Sequence, residues 1–422
     1  MKSNTSRLSR RTFLQAMGLG AAAMETGSKG LYHSFDFIHE TEFSEMPTNQ
    51  IGAYGSWAST LVEDPPALSF RSESWTDIEA WRTTARERLI ACLAQPDIGT
   101  QPPVTVHGQY TYDGLHIEEL SWQLPYGPPT EAVLLKPAGA TGPLPGVLAL
   151  HDHGGNKVFG WQKIAQTGAE RHPKMVQNHD ALYGGTAWAN ELAKRGYAVL
   201  VPDVFPFASR KVQLADVPEK QRKGLSTGPP ESLEEIDAYN RWAGAHEHIM
   251  AKSLFCAGTT WPGVFLGEDQ RALDVLCARP DVDENRVGCG GLSGGGLRTV
   301  FLGGVDPRIK CAICVGMMTT WQDYLLYKSH THTWMVYVPL LARELDYPEI
   351  LGLRVPLPTL VQNNRQDPLF TLPEMERADQ ILQSVYTKAN AGERYRCSFY
   401  DGPHKFDQEM QSEAFKWFDT WL

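Results

Sequence analysis

The sequence has few of the features that mark specialised classes of protein. Its 422 residues include only seven cysteines, an odd number that is also too small for a disulfide framework in so long a chain. No run of about 18 or more apolar residues is present, so we expect no membrane-spanning helix. The formal net charge of −10 disfavours nucleic acid as a partner, because phosphate binding requires a basic surface. The remaining composition, 42% hydrophobic and 21% charged, is that of a globular protein with a large core.

The N-terminal segment has the features of an export signal. Residues 9–15 (SRRTFLQ) are similar to a twin-arginine motif, and a modest apolar stretch follows at residues 16–24. Three alanines at residues 21–23 provide small side chains of the kind found at cleavage sites. We therefore expect export to the periplasm or the extracellular space and leave residues 1–30 out of the fold. The alternative is a basic N-terminal tail.

Hydrophobic periodicity predicts an α/β fold. A helix at residues 75–93 precedes alternating strands between residues 104 and 135, which predict an antiparallel lead-in. Short continuous apolar runs then alternate with amphipathic segments, which predicts a mostly parallel sheet with helices on both faces. We predict strands at residues 146–150, 197–201, 287–290, 310–315, 358–362 and 395–400. We predict helices at residues 187–195, 269–278, 297–302, 374–386 and 408–422.

Two long segments interrupt the alternation of strands and helices. We expect residues 31–103 to form an N-terminal extension packed on the core, and residues 104–422 to form the α/β domain that carries the site. Residues 205–268 and 323–348 are insertions in this domain. Long insertions in compact α/β domains commonly shape the ligand site, so both are predicted to form a lid or the walls of a pocket.

The strongest motif is Gly-Leu-Ser-Gly-Gly at residues 291–295, which fits G-x-S-x-G. It lies between a predicted buried strand and a predicted helix, where a sharp turn exposes the serine hydroxyl. The helix N-terminus behind it favours negative charge. We predict that Ser293 is a nucleophile. A purely structural glycine-rich turn is the alternative.

A serine nucleophile requires a base and a group that orients the base. His404 follows the last predicted strand, and no other histidine lies downstream of Asp367. Asp367 follows the strand before it, and acidic residues beyond the carboxyl ends of strands are well placed to reach a site. We predict a triad of Ser293, Asp367 and His404, with Asp401 and Asp379 as alternative acids.

The oxyanion formed in acyl transfer requires N–H donors that are already in position. One donor is expected from the amide after the nucleophile, which is that of Gly294. The other is expected from the His-Gly-Gly turn of His153, Gly154 and Gly155, which directly follows an early strand. The sequence leaves open which of these three amides points inward.

Some histidine and cysteine spacings in the sequence are compatible with metal sites. His151 and His153 form an H-x-H pair, and the His-Glu-His of residues 246–248 repeats this spacing. No third ligand with a suitable context accompanies either pair, so we expect neither a metal nor another cofactor. Cys311 and Cys314 have C-x-x-C spacing on a predicted strand, where they point to opposite faces, and are interpreted as core residues.

Several of these motifs together resemble the acetyl xylan esterase-like and dienelactone-hydrolase-like branch of the α/β hydrolases. The resemblance covers residues 130–422 and is carried by residues 150–155, 269–274, 279–283, 286–289, 291–296, 306–309 and 402–404. It implies the α/β-hydrolase fold and ester hydrolysis, often on acetylated or methyl-esterified carbohydrate. Dienelactone hydrolases use a cysteine nucleophile, so Ser293 argues against the dienelactone reaction.

The leading hypothesis is a serine carboxylic ester hydrolase that acts through an acyl-enzyme on a carbohydrate or small-molecule ester. Aromatic residues of the insertions are candidates for stacking on sugar rings, and burial in the core is an equal alternative for each of Trp242, Trp261, Trp321, Trp334 and Tyr337. A prolyl-oligopeptidase-like peptidase is a weaker hypothesis, because the N-terminal part contains no propeller repeats. A catalytically inactive binding protein of the same fold is the third.

Overall fold

The structure is a computed structural model, and it describes residues 48–422. The predicted export signal and the first part of the predicted extension lie outside these residues. No helix between residues 48 and 422 is long and apolar enough to cross a membrane.

One nine-stranded sheet organises the described chain, with the strand order β1-β2-β3-β5-β4-β6-β7-β8-β9. The strands β1 to β3 pair antiparallel, as predicted, and β3 pairs antiparallel with β5. All pairs from β5 to β9 are parallel. The strands are β1 (Val104–Tyr112), β2 (Leu115–Trp122), β3 (Thr130–Pro137), β4 (Leu144–Ala149), β5 (Ala198–Pro202), β6 (Val282–Leu292), β7 (Ile309–Val315), β8 (Thr359–Asn364) and β9 (Tyr395–Tyr400).

Helices follow the strands along the chain and pack on the sheet. They are α1 (Gly55–Ser59), α2 (Ile78–Leu93), α3 (Pro173–Leu182), α4 (Trp188–Lys194), α5 (Glu219–Arg222), α6 (Leu233–Cys256), α7 (Trp261–Cys277), α8 (Gly294–Val305), α9 (Leu341–Glu344), α10 (Tyr347–Gly352), α11 (Leu372–Lys388) and α12 (Gln408–Trp421).

Two hydrophobic layers cover the sheet, one on each face. Alternate residues of β7 point to opposite layers: Cys311 packs with α4 and α12, whereas Cys314 packs with α7, α8 and α11. Both thiols are free and buried, and they do not face one another. The prediction of helices on both faces is therefore confirmed, and so is the interpretation of this C-x-x-C pair as core.

Two helices begin three or more residues earlier than their sequence patterns predicted. The helix predicted from residue 269 begins at Trp261, because Thr260 caps its N-terminus by accepting a hydrogen bond from the amide of Gly263. Residues 261–268 thus belong to α7 and not to an irregular insertion. The helix predicted at residues 297–302 begins at Gly294. Its three glycines resemble a turn in sequence but form the first helical turn, closed by a bond from the amide of Leu297 to the carbonyl of Ser293.

The helix predicted at residues 75–93 begins at Ile78, three residues after its predicted start. The Asp77 carboxylate accepts the amides of Glu79 and Ala80 and caps the helix there.

The two insertions differ in regularity. The first contains the short α5 and the 24-residue α6, which begins at a capping box formed by Ser232 and Glu235. The second contains a π-helical turn (Asp323–Lys328) and short helical segments. Residues of both insertions contribute to one cavity beyond the carboxyl ends of the parallel strands.

Candidate active site

A cavity of about 530 Å³ lies where β4 and β6 end. Ser293 and His404 both line it. Its walls are largely apolar and include side chains from the first insertion, α7, α8 and the second insertion: Phe207, Phe265, Leu297, Met335 and Val336. A mostly apolar pocket with a few convergent polar groups is the usual form of a small-molecule site.

Ser293 lies at the single residue between β6 and α8. Its backbone has φ +57° and ψ −115°, a conformation that costs a residue with a side chain roughly 1–3 kcal/mol. Its amide donates to the carbonyl of Val315 (2.9 Å), and its carbonyl accepts the amide of Leu297 (2.8 Å). The turn is therefore fixed from both sides, by the neighbouring strand and by the helix that follows.

Glycines allow the turn to approach the end of β4. A Cβ at Gly291 or Gly295 would collide with the carbonyl oxygen of Leu150. A Cβ at Gly294 would lie 2.7 Å from the amide nitrogen of His153. The backbone after the serine and the backbone of the His-Gly-Gly turn are thus in direct contact.

The imidazole of His404 is bound to the carboxylate of Asp367. Nδ1 of His404 lies 2.5 Å from Oδ2, and Oδ1 accepts the amide of Leu369 at 2.9 Å. Because the carboxylate accepts the Nδ1 proton, Nε2 carries the free lone pair. Nε2 is buried and has no hydrogen-bond partner among the residues that the structure describes. The backbone at Gly316, where φ is +56°, contacts the ring so closely that a Cβ would lie 2.9 Å from Cε1.

The alternative acids lie elsewhere. Asp401 is exposed, and Asp379 on α11 accepts a hydrogen bond from the hydroxyl of Tyr395 (2.9 Å). Neither lines the cavity. The structure therefore pairs His404 with Asp367 and with neither alternative.

The three amides proposed for the His-Gly-Gly turn are not equivalent. The amide of Gly155 donates to Nδ1 of His153 (3.1 Å) and is occupied within the turn. The amide of His153 abuts Gly294 and has no acceptor in the described part of the chain. Gly154 has φ +52°, and a Cβ there would collide with the carboxylate of Asp152. The amides of His153 and Gly294 therefore form the adjacent pair.

Glu247 on α6 was not identified as a site residue from the sequence. Its carboxylate accepts hydrogen bonds from Nε2 of His153 (3.0 Å) and from the hydroxyl of Thr333 (2.6 Å), and it also binds Nζ of Lys157. Burial alone would raise its pKa, but the bonds from His153 and Lys157 outweigh burial and lower the pKa to about 2. Glu247 thus stays ionised and connects the turn to both insertions.

The only sequence signal for Glu247 was the His-Glu-His pattern. His246 stacks on Trp242 at 4.6 Å, and His248 is exposed. Between residues 48 and 422 no group of three or more His, Cys, Asp or Glu side chains is arranged to hold a metal ion. The central carboxylate of the pattern, and not its histidines, reaches the site.

His332 is a second site residue that the sequence did not single out. It lines the cavity, and its Nε2 donates to the carbonyl of Leu369 (2.9 Å), two residues from Asp367. Burial is the main reason that its pKa is lowered to about 4, so the ring is neutral at pH 7. The sequence indicated His332 only indirectly, because the second insertion contains many histidine and aromatic residues.

The five aromatic candidates for sugar stacking divide into two groups. Trp242, Trp261 and Trp321 are buried in the core, so the stacking hypothesis is wrong for these three. Trp334 is 40% exposed and lies next to the cavity residues Thr333 and Met335. Tyr337 is partly buried, and its hydroxyl binds the carbonyl of Ser329.

No family model matches the chain, but one curated protein and several solved structures are similar to it. It is 26% identical over 294 residues, 69% of this chain and 83% of the relative, to a Bacillus subtilis protein named "Putative hydrolase YtaP". A Bacteroides fragilis structure described as a "putative acetyl xylan esterase" has a TM-score of 0.62 and 16% identity, and covers 83% of this chain and 82% of its own. A glucuronoyl esterase from Solibacter usitatus has a TM-score of 0.58 and 15% identity, and covers 84% of this chain and 97% of its own. The chain has the α/β-hydrolase fold, as the sequence predicted.

Proposed function

We propose that the chain is a serine carboxylic ester hydrolase that acts through an acyl-enzyme. The observation that carries this proposal is the joint position of Ser293 and His404. Ser293 stands on a strained strand-to-helix turn and shares a cavity with His404, whose Nδ1 is held by Asp367. A strained serine, a histidine and a buried carboxylate in this relation are the parts of a nucleophile, a base and an orienting group.

In the proposed mechanism Ser293 attacks the ester carbonyl, and Nε2 of His404 takes the hydroxyl proton. Asp367 stabilises the imidazolium that forms. The amides of Gly294 and His153 stabilise the oxyanion, which collapses to an acyl-serine while His404 returns the proton to the leaving alcohol. Water then attacks the acyl-serine, again with His404 as base, and releases the carboxylic acid and free Ser293.

The proposed substrate is a carbohydrate ester or another small acyl ester. The apolar walls of the cavity suit a small acyl group. Structural neighbours named as acetyl xylan esterase and glucuronoyl esterase support a sugar as the alcohol or acyl part. Trp334, beside the cavity, is the aromatic residue proposed to stack on it.

Labelling with a fluorophosphonate, followed by peptide mapping, tests the proposal together with a p-nitrophenyl acetate assay. We expect the probe to label Ser293 in the wild-type protein, and we expect the wild-type protein to release acetate from p-nitrophenyl acetate. Ser293→Ala should lose labelling and reduce kcat by a factor on the order of 10⁴ or more. Ser384→Ala, which changes an exposed serine of α11, is the matched control and should keep both. A folded wild-type protein that neither reacts nor turns over would refute the proposal and favour a binding protein.

We further propose that the protein is exported through a twin-arginine signal at residues 9–15. Recognition depends on the arginine pair, so replacing Arg10 and Arg11 with lysine should leave the protein in the cytoplasmic fraction. Wild-type protein found only in the cytoplasm would contradict export.

A further inference from the structure

Lys163 is a buried lysine directly beneath the His-Gly-Gly turn. It ends a 3-10 turn (Trp161–Lys163), and its side chain has no exposed surface. Nζ donates to the carbonyl oxygens of Asp152 (2.8 Å) and His153 (2.9 Å). No step of the proposed mechanism uses this lysine. Burying an ammonium group costs free energy unless the group is hydrogen-bonded or paired with an opposite charge.

The carbonyl of Asp152 and the amide N–H of His153 belong to the same peptide group. Resonance couples the two ends of a peptide, and a cationic donor on the oxygen therefore makes the N–H a stronger donor. Lys163 binds this oxygen on one side, while the N–H on the other side abuts Gly294. Two charge-assisted bonds to successive carbonyls also fix the orientation of the peptide.

The carboxylate of Asp152 is a buried counter-charge for Lys163, but it is not a hydrogen-bond partner of the ammonium. Its Oδ2 lies 3.8 Å from Nζ, beyond hydrogen-bond length, and its Oδ1 accepts the hydroxyl of Tyr183 at 2.5 Å. The two carbonyls are thus the direct partners of the ammonium. Burial lowers the pKa of Lys163 only to about 8, so most of the charge is kept at neutral pH.

We propose that Lys163 is a positioning residue for the oxyanion site, which holds and polarises the peptide between Asp152 and His153 through its carbonyl oxygen. The inference rests on the proposed esterase function and on the amide of His153 as a donor to the oxyanion. In this proposal Lys163 acts through the peptide and does not contact the substrate.

The test compares two variants that differ only at position 163. Lys163→Met alone would leave the Asp152 carboxylate buried without a counter-charge, and unfolding would obscure the result. We therefore compare Asp152→Asn, in which the lysine loses its counter-charge but keeps its two carbonyl acceptors, with the double variant Asp152→Asn/Lys163→Met. Tyr183→Phe removes the hydrogen bond that the Asp152 carboxylate accepts and leaves both bonds from Lys163 to the carbonyls, so it is the control. Each variant is checked by thermal unfolding before its kinetics with p-nitrophenyl acetate are measured.

We expect kcat of the double variant to be about tenfold below that of Asp152→Asn, with KM changed by less than about twofold, because the contact acts on the oxyanion. The rate of fluorophosphonate labelling should fall in parallel, since the phosphonyl oxygen occupies the same donors. Tyr183→Phe should keep kcat within about twofold.

Equal kcat in Asp152→Asn and the double variant would overturn the inference. An increase in KM of the double variant without a fall in kcat would also overturn it. If the methionine variant does not fold, Asp152→Asn/Lys163→Gln supplies a neutral donor and should lose about threefold, and an unchanged kcat there also overturns the inference. An inactive wild type that resists labelling would instead overturn the proposed function.

Discussion

Replacing Gly294 with alanine tests the proposed oxyanion site with the smallest possible change. The new Cβ would lie 2.7 Å from the amide nitrogen of His153, and this neighbour is backbone that cannot rotate away. Ordinary contact distance requires a displacement of roughly 0.7 Å, which moves one or both proposed donors away from the oxyanion. Loss of one such donor costs about 2.7 kcal/mol or more, so we expect kcat to fall about 100-fold.

The assay is steady-state hydrolysis of p-nitrophenyl acetate, with KM and thermal unfolding measured on the same preparation. Alanine is a better helix former than glycine, so the first turn of α8 should not lose stability for local reasons. Gly303→Ala, later in the same helix, is the control, because its Cβ would meet only side-chain atoms at 3.3 Å and beyond. A folded Gly294→Ala variant with wild-type kcat would refute the placement of the oxyanion between Gly294 and His153.

Three further substitutions test the surroundings of the site. Asp367→Asn should reduce kcat by about 10⁴ with little change in KM, because an amide cannot hold the required tautomer of His404, and a loss below tenfold would contradict the triad. His332→Gln should remove a pH-dependent part of stability. The folded-state pKa near 4 lies below the ordinary value of 6.5, so the unfolded state binds the proton first and wild-type stability falls by about 3 kcal/mol as pH drops from 6.5 to 4. Urea unfolding at both pH values should show a correspondingly smaller fall in the variant, and an identical fall would contradict this reasoning. Arg298→Leu should destabilise by about 3–5 kcal/mol, because it leaves the buried carboxylate of Asp269 unpaired, and adding Asp269→Leu should recover most of the loss in the same assay.

The sequence was sufficient to predict which residues follow the strands. Ser293 and Asp367 follow buried strands, and His404 follows the edge strand β9, and parallel strands end at one edge of the sheet. Local periodicity identifies the strands, so chain order alone brings the three loops to one side. The pairing of Asp367 with His404 follows from this topology, although the 2.5 Å contact required the structure.

Contacts between loops could not be predicted in the same way. Lys163 and Glu247 reach the turn after β4 from 11 and 94 residues away, and no periodicity relates these segments. The prediction that the buried tryptophans stack on sugar rings fails for a related reason. Trp261 begins α7 and packs into the core, whereas Trp334 in the second insertion stays partly exposed, and composition does not distinguish the two positions. Which side chain an insertion buries depends on tertiary packing.

Glu247 links the two long insertions to the turn after β4. A buried carboxylate is stable only when its oxygens are bonded, and the donors to Glu247 come from two separate segments. They are His153 and Lys157 after β4, and the hydroxyl of Thr333 with the amide of Trp334 in the second insertion. Opening either insertion would break bonds to an ionised group in a buried setting. The cavity walls and the His-Gly-Gly turn are therefore held as one hydrogen-bonded unit, so the apolar cavity is already formed before a substrate enters it.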